Sequence, residues 1–398
     1  MRRRQSSIAP MTQTPGEAAR FLLRNAVDAL PEGVLERQLS KERPLRVKLG
    51  IDPTAPDIHL GHTVVLRKLR EFQDLGHTVV LIVGDYTGRV GDPSGRSQVR
   101  PQLDPAEIDR NAETFQQQAF TVLDRDRTEV RRNSEWLDME MEALFRLART
   151  ATVAQLLERD DFAKRYAAGE PISVLELLYP LLQGYDSVAV KADVELGGTD
   201  QKFNLLLARD VQQAYGVEPQ SIVTMPILPG TDGVRRMSKS LGNYVGVTDP
   251  PEDVFGKLMR VPDDAMPVYY ELLLEQELDP ARPAVESKRG MARELTARFH
   301  GDDAAAAAEA HFDRLHVEHG TPDEVDEFAI SGDTVHLPAI LSDAFGLSRS
   351  EGRRLIDQGG VKLDGEPLAN GELDLPAEQL DGSLLQVGKR RFKRLRRA

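Results

Sequence analysis

Two short strings, far apart in the 398 residues, carry side chains suited to holding phosphates: His59-Leu60-Gly61-His62 and Arg236-Met237-Ser238-Lys239-Ser240. Histidines at i and i+3 at the start of a helix serve as neutral donors, where free backbone N–H groups and the helix dipole already favour an anion. Thr54, just upstream, adds a hydroxyl. Arg236 and Lys239 bring fixed positive charge. Gly230, Gly233 and Gly242 around them predict a mobile loop, whose contacts can strengthen as a phosphate reacts. Arg96 and Arg100 are further cations for phosphates. Each residue also has a plainer reading. The histidines could cap a helix or bind a metal, although no cysteine and no nearby third ligand supports a metal. Arg236 and Lys239 could be a solvated pair. Four residues with two fixed histidines recur by chance; their pairing with RMSKS at the far end of one α/β region does not.

The elements that must position these strings follow from hydrophobic pattern. Leu45–Ile51 (LRVKLGI) reads as a strand that runs into the turn Asp52-Pro53-Thr54, and a helix follows through Leu66–Leu75. Thr78–Val83 (TVVLIV) is wholly apolar, as in a buried parallel sheet. Strand, helix and strand at this spacing form a right-handed βαβ unit and predict a doubly wound, Rossmann-like sheet, with ligands off the strands' carboxyl ends. Gly84–Gly95 is Gly/Asp/Pro-rich and reads as loop. It lacks the GK[ST] ending of a P-loop. Helices are expected over Ala18–Leu30, Pro105–Leu123, Leu137–Leu157, Ile172–Tyr185 and Asp200–Tyr215, and strands over Val194–Leu196 and Ile222–Leu228. After Asp249-Pro250-Pro251 the chain turns helical and charged, and from about Val335 it becomes a small, turn-rich module. The domains are therefore 1–248, 249–330 and 335–398.

A second constellation lies on the Ile172–Tyr185 helix. Tyr179, Gln183 and Asp186 fall at i, i+4 and i+7, on one face of an otherwise apolar segment. Burying them is costly unless they are satisfied by a ligand or by one another. Gly197-Gly198-Thr199-Asp200-Gln201 turns tightly into the next helix and offers groups to a ribose, while Asp92 projects from the glycine-rich loop.

Composition sets outer limits. With 40% hydrophobic residues a substantial core is possible, and with no cysteine there are no disulfides, thiol nucleophiles or thiolate metal sites. No apolar run reaches membrane-spanning length, and the basic start MRRRQSSIAP lacks the apolar core of a secretory signal. It reads as a disordered extension, with a targeting role as the alternative. Net charge is −13, yet 335–398 holds 11 Lys/Arg against 9 Asp/Glu, and Lys389–Arg397 (KRRFKRLRR) holds seven basic residues and no acid. Such a tail on a compact module marks contact with a phosphate backbone or a solubilising end.

KLGIDPTAPDIHLGH, GDYTGRVGDPSGR, YPLLQGYD, GGTDQKFN and RMSKSLGNYVG, in that order between Lys48 and Gly246, resemble the motifs of the tyrosyl-tRNA synthetase family of class I aminoacyl-tRNA synthetases. The resemblance implies activation of L-tyrosine by ATP and transfer to the terminal adenosine of tRNA(Tyr). Mg²⁺ would come with ATP, with no prosthetic group and no protein metal site. It implies that Asp92, Tyr179 and Gln183 hold the substrate ammonium and that Asp186 accepts a hydrogen bond from the phenol. By the same resemblance Gly50, Asp52, Gly61, Gly198, Asp200, Gln201, Met237 and Ser238 line ATP or the adenylate. Thr54, His59, His62, Arg236 and Lys239 act on the phosphates, and Arg96 and Arg100 on phosphates or the tRNA end. A carboxylate that reads the phenol leaves phenylalanine unable to satisfy it, and no inserted editing domain is visible.

One departure stands out. Much of the family has a tyrosine two residues before the GxDPT turn, where this chain has Lys48, so the second phenol partner must come from elsewhere. RMSKS replaces KMSKS, which keeps the charge but not its geometry. The segment Leu347–Gly365 is similar to a small α+β RNA-binding domain shared with a ribosomal protein. That likeness assigns Arg349, Arg353, Arg354 and Lys362 to RNA, and 249–330 to an anticodon-side helical region. The family also implies a homodimer, a cytoplasmic location and no membrane association. The rival readings are the sister tryptophan enzyme, a catalytically dead synthetase scaffold that binds RNA, and a short nucleotidyltransferase. Asp186, the retained Thr54, His59, His62 and Lys239, and the chain's length with its RNA-binding tail argue against them in turn.

Overall fold

The structure is a computed structural model that describes residues 13–41, 43–53, 57–94, 104–316, 325–368, 373–388 and 391–397. Thr54, Arg96 and Arg100 lie outside the described residues. The chain divides into two compact units, 1–301 and 302–398. The division falls at Gly301–Asp302, inside the stretch read from sequence as one helical region.

The first unit is built on six strands: β1 (Asp28–Leu30), β2 (Arg46–Ile51), β3 (Thr78–Val83), β4 (Thr128–Arg132), β5 (Val194–Gly198) and β6 (Ser221–Met225). Their order is β1-β6-β5-β2-β3-β4, and every pairing is parallel except β1 with β6. The chain winds outward from β2 through β3 to β4, then returns to β5 on the other side. The β2/β5 boundary is thus the switch point where such sheets bind ligands. Val47, Val79, Val80, Ile82, Val194, Leu196 and Val223 are buried, as expected of a parallel sheet covered on both faces.

Several sequence expectations needed correction at element ends. The helix expected from Leu66 begins at Leu60, with His59 extended as its N-cap; the β-branched run Thr63-Val64-Val65 hid its first turns. The helix expected over Leu137–Leu157 is three pieces, Ser134–Leu137, Met141–Ala148 and Val153–Leu156. The leading helix ends at Leu22, and Asp28–Leu30 is instead the antiparallel edge strand. Strand β4, TEVRR, had no apolar alternation; it is the other edge, where charge guards against further pairing. The glycine-rich loop holds one helical turn, Thr87–Val90.

The Val174–Ala189 helix, opened by a Ser173/Glu176 capping box, carries the second constellation. It packs closely on the Lys202–Ala214 helix: a Cβ on Gly184 would lie 2.9 Å from Val211 and 3.3 Å from the Ala208 Cα, so a larger residue there forces the contact to shift. After Pro250, the Pro251–Met259 and Ala284–His300 helices belong to this same unit. No helix among the described residues is long and apolar enough to cross a membrane.

The second unit opens with the Asp302–His316 helix. Its main sheet joins β7 (Glu327–Ile330), β9 (Val361–Leu363), β10 (Glu366–Pro367), β12 (Leu384–Val387) and β13 (Arg391–Arg397) in the order β10-β9-β12-β13-β7. A separate pair joins β8 (Thr334–His336) to β11 (Asp374–Pro376). Helices Leu337–Phe345 and Arg349–Asp357 share a core of Leu337, Ile340, Leu341, Ile356, Val361, Leu385 and Leu395 with this sheet. Arg349, Arg353 and Arg354 are exposed and Lys362 is half-buried. Lys393, Arg396 and Arg397 of β13 pair with Asp326, Glu327 and Asp333, so part of the basic tail's charge is met within the unit.

Candidate active site

The carboxyl ends of β2, β3, β5 and β6 open into a cleft of about 630 Å³ in the first unit. Gly50, Asp52, His59, Gly61, His62, Asp92, Tyr179, Gln183, Asp186, Gly198, Asp200, Gln201, Arg236, Met237, Ser238 and Lys239 all line it. Every expected nucleotide- or tyrosine-site residue that the structure describes therefore converges on one cavity.

The two signature strings are physically joined. Leu60 N donates to Val245 O at 3.0 Å and Val247 N to Ile58 O at 2.9 Å, so the segment after RMSKS forms a short ladder with the segment before HLGH. The Lys239 ammonium meets Asp57 Oδ2 at 2.5 Å across the mouth of the cleft. That contact raises the Lys239 pKa, chiefly through its hydrogen bond to Asp57. Asn243 organises the loop from within: its Oδ1 accepts from Ser238 N at 2.9 Å, and its Nδ2 donates to Asp232 Oδ2 at 3.0 Å and Arg236 O at 3.1 Å. Arg236 approaches Asp200 at 3.5 Å.

His59 and His62 stack with ring centroids 3.8 Å apart. Burial, with His62 adding to it, pushes the His59 pKa down to about 2, and burial pushes His62 down to about 4. Both rings are neutral at physiological pH. The backbone N–H of His59 donates to His62 Nδ1 at 3.2 Å, which leaves His62 Nε2 to carry the proton.

Deeper in the cleft the groups turn acidic. Asp52, at the end of β2, accepts from Tyr179 Oη at 2.8 Å and Thr87 Oγ1 at 2.7 Å. Burial, then the charges of Asp52 and Asp92, keep the Tyr179 phenol protonated. Gly84 makes this approach possible, because a Cβ there would stand 2.1 Å from Asp52 Oδ1. Asp92 accepts from Gln201 Nε2 at 2.9 Å. Asn204 Nδ2 donates to Gln183 Oε1 at 3.0 Å and Gln201 Oε1 at 3.2 Å, and Arg159 Nη1 holds Asn204 Oδ1 at 3.2 Å.

Asp186 lies at the far end. Its carboxylate accepts from Trp136 Nε1 at 2.8 Å and Asn133 Nδ2 at 3.4 Å, which leaves lone pairs for a third donor. Burial pushes its pKa up to about 7, against the opposing pull of Lys48 and of these two donors. Lys48 itself is fully buried against Glu195.

Sequence reasoning missed Asp57, Thr87, Asn133, Trp136, Arg159, Glu195, Asn204 and Asn243. Asp57, Thr87, Asn204 and Asn243 stand inside strings already singled out, KLGIDPTAPDIHLGH, GDYTGRVGDPSGR, GGTDQKFN and RMSKSLGNYVG; Asn133, Trp136, Arg159 and Glu195 come from segments with no motif. Among the described residues no group of three His, Asp or Glu is placed to hold a metal ion.

Residues 40–317 match the family model described as "tRNA synthetases class I (W and Y)". The chain is 50% identical to the tyrosine–tRNA ligase of Moorella thermoacetica, with 97% of each chain covered. It is 48% identical to that of Thermotoga maritima, with 96% of this chain and 98% of the relative covered. Among solved structures, the fold resembles the tyrosyl-tRNA synthetase of Archaeoglobus fulgidus complexed with L-tyrosine, with a TM-score of 0.58, 24% identity and 75% of this chain and 96% of that one covered. A C-terminally truncated mitochondrial tyrosyl-tRNA synthetase from Aspergillus nidulans aligns with a TM-score of 0.62 at 22% identity, over 76% and 94% of the two chains. By family model and by near-complete relatives alike, the chain belongs to the class I tRNA synthetases and, within them, to the tyrosine–tRNA ligases.

Proposed function

We propose that the cleft activates L-tyrosine with ATP and then passes the tyrosyl group to the terminal adenosine of tRNA(Tyr). The observation that carries this reading is the polarity of one continuous cavity, with acceptors inside (Asp52, Asp92, Gln183, Asp186) and the phosphate-binding strings at its mouth (His59, His62, Arg236, Lys239). Tyrosine enters phenol first. Its hydroxyl donates to Asp186, and its ammonium sits among Asp92, Tyr179 and Gln183. Its carboxylate is then left facing the nucleotide. Gly50, Asp52, Gly61, Gly198, Asp200, Gln201, Met237 and Ser238 cradle the adenosine and sugar.

A carboxylate oxygen attacks the α-phosphorus, and the bond to the bridging oxygen breaks, releasing pyrophosphate. The protein supplies no nucleophile; it aligns the reactants and stabilises the leaving charge. Neutral His59 and His62 donate to phosphate oxygens, joined by Thr54 from its position in the sequence. Lys239 leaves Asp57 for the pyrophosphate, and Arg236 leaves Asp200. Mg²⁺ arrives on ATP as part of the substrate. In the second step a ribose hydroxyl of the tRNA's terminal adenosine attacks the tyrosyl carbonyl carbon and AMP departs. Arg96 and Arg100 are assigned to the phosphates or the tRNA end, and Arg349, Arg353, Arg354 and Lys362 of the second unit to the tRNA backbone. Three functional parts, 1–248, 249–330 and 335–398, remain the proposed division of labour.

ATP–pyrophosphate exchange tests this reading. Exchange with tyrosine, and not with phenylalanine or tryptophan, is the expected result. Exchange with tryptophan alone moves the assignment to the sister enzyme, and a folded protein that binds tRNA without any exchange is an inactive scaffold.

Assembly as a homodimer is part of the proposal. Met141, Phe145, Val153, Tyr166 and Val174 are each more than half exposed, all within one run of helices in the first unit. A second copy of the chain is the natural cover for so much apolar surface. Sedimentation at micromolar concentration should give twice the 44.2 kDa chain mass; Phe145→Asp should give monomers. A wild-type monomer at that concentration removes the dimer.

A further inference from the structure

The buried ion pair beneath the cleft is the strongest feature that the proposed mechanism leaves unused. The Lys48 side chain has no exposure and that of Glu195 has 1%. The Lys48 ammonium meets Glu195 Oε1 at 2.8 Å, Ser187 Oγ at 2.8 Å and the Gln183 carbonyl oxygen at 3.1 Å, which uses all three of its N–H bonds. Glu195 in turn accepts from Ser187 Oγ at 3.1 Å, from Gln220 Nε2, and at 3.5 Å from Gln183 Nε2.

Stability alone does not account for this cage. A buried pair of charges pays heavily for desolvation, and an apolar pair of the same volume is commonly as stable or more so. Its position accounts for it better. Lys48 on β2 and Glu195 on β5 flank the switch point, and their partners Gln183 and Ser187 are one turn apart on the Val174–Ala189 helix. Asp186 lies between those two anchored positions. Gln183, Asp186 and Glu195 all line the cleft.

We propose that Lys48 is a specificity-determining positioning residue. It fixes the helical turn that carries Gln183 and Asp186, and it supplies the positive charge against which Asp186 meets the substrate hydroxyl. The inference rests on the tyrosine reading of the cleft. In place of a second hydroxyl contact to the phenol, the chain strengthens the first contact from behind.

The groups that face Asp186 are Lys48 from β2, Glu195 from β5, Tyr179 from its own helix, and the donors Asn133 and Trp136. Lys48 pulls the Asp186 pKa down and Glu195 pushes it up, with Lys48 the larger influence. Removing Lys48 therefore leaves Asp186 protonated to higher pH. Removing both charges does the same to a smaller extent.

The test is the pH profile of tyrosine kcat/KM in pyrophosphate exchange. Lys48→Met is expected to move the acid limb upward, to raise tyrosine KM roughly tenfold at pH 7 with kcat little changed, and to recover toward pH 9. Lys48→Arg, which keeps the charge, is expected to keep the wild-type limb. Should Lys48→Met fail to fold with Glu195 left unpaired, Lys48→Met/Glu195→Gln removes both charges and still moves the limb in the same direction. A limb that stays at its wild-type pH in the folded variants, with loss confined to melting temperature, overturns the proposal and makes the pair structural. Wild-type protein that shows no exchange with tyrosine overturns the tyrosine reading instead, so the two failures are distinct.

Discussion

Asp186→Asn lowers kcat/KM for tyrosine by roughly a hundredfold and leaves the slow reaction of phenylalanine nearly unchanged, so the ratio between the two collapses. The phenol needs an acceptor at the end of the cleft, and a hydrogen bond to a charged group there is worth about 1.5–3 kcal/mol, or ten- to more than a hundredfold. Trp136 and Asn133 already point two N–H donors at this side chain. An asparagine must turn its oxygen to them, and its amide N–H₂ then faces the substrate hydroxyl. Stability moves the other way. The folded pKa of Asp186 is raised to about 7 from 3.8 by burial. A raised carboxyl stabilises fully below about pH 4, and that contribution is lost as pH climbs through 7. At pH 8 the ligand-free wild type bears a buried charge that the asparagine variant lacks, so the variant melts higher there; the gap narrows by pH 5 and closes only below about pH 4. Exchange kinetics with both amino acids and melting curves at the two pH values check this. An unchanged tyrosine-to-phenylalanine ratio would remove Asp186 from substrate recognition.

What the sequence made legible, and what it did not, follows from how local each signal is. TVVLIV declared a buried parallel strand because parallel strands are apolar on both faces. Tyr179, Gln183 and Asp186 declared a polar face because helix geometry fixes their spacing, and the structure places all three in the cleft. HLGH and RMSKS were readable as separate strings. Their backbone ladder through Leu60 and Val245 was not, since nothing local encodes which loops will pair. Both edge strands escaped for the opposite reason: TEVRR and DAL lack the apolar content that marks the strands between them.

Lys48 shows the same limit within the site. By motif it is a missing tyrosine. In space it is half of a pair whose other half stands about 150 residues away on the neighbouring strand. A trace of that was visible, because LRVKLGI sets Lys48 between two apolar residues and VELGG sets Glu195 between two others, opposite charges inside largely apolar strands. Adjacent strands with opposite charges at one level are a pairing signal, but it can be read only once the strand order is known. Trp136, Asn133 and Arg159 belong to the same class. Each satisfies a motif residue from outside the motif, so it becomes visible only as the partner that a buried polar group requires.

At the mouth of the cleft the expected effect lies in rate and not in binding. Lys239→Ala reduces the rate of adenylate formation about a hundred- to a thousandfold, the scale of losing one preorganised charge from a transition state. Tyrosine affinity stays within about twofold, because Lys239 is at the rim while the tyrosine-binding groups lie deeper. Lys239 pairs with Asp57, their side chains 43% and 30% exposed. An ion pair so open to water is worth at most about 1 kcal/mol, so ATP displaces it at little cost. Asp57→Asn therefore changes the ATP dependence by only a few-fold, whereas Lys239→Ala removes a contact that the phosphates use as charge moves onto the leaving pyrophosphate. Single-turnover adenylate formation at saturating ATP, beside equilibrium binding of tyrosine, separates the two variants. A Lys239→Ala protein that forms adenylate at the wild-type rate when ATP is saturating would assign Lys239 to ground-state binding alone, and the loop would then grip ATP without accelerating its cleavage.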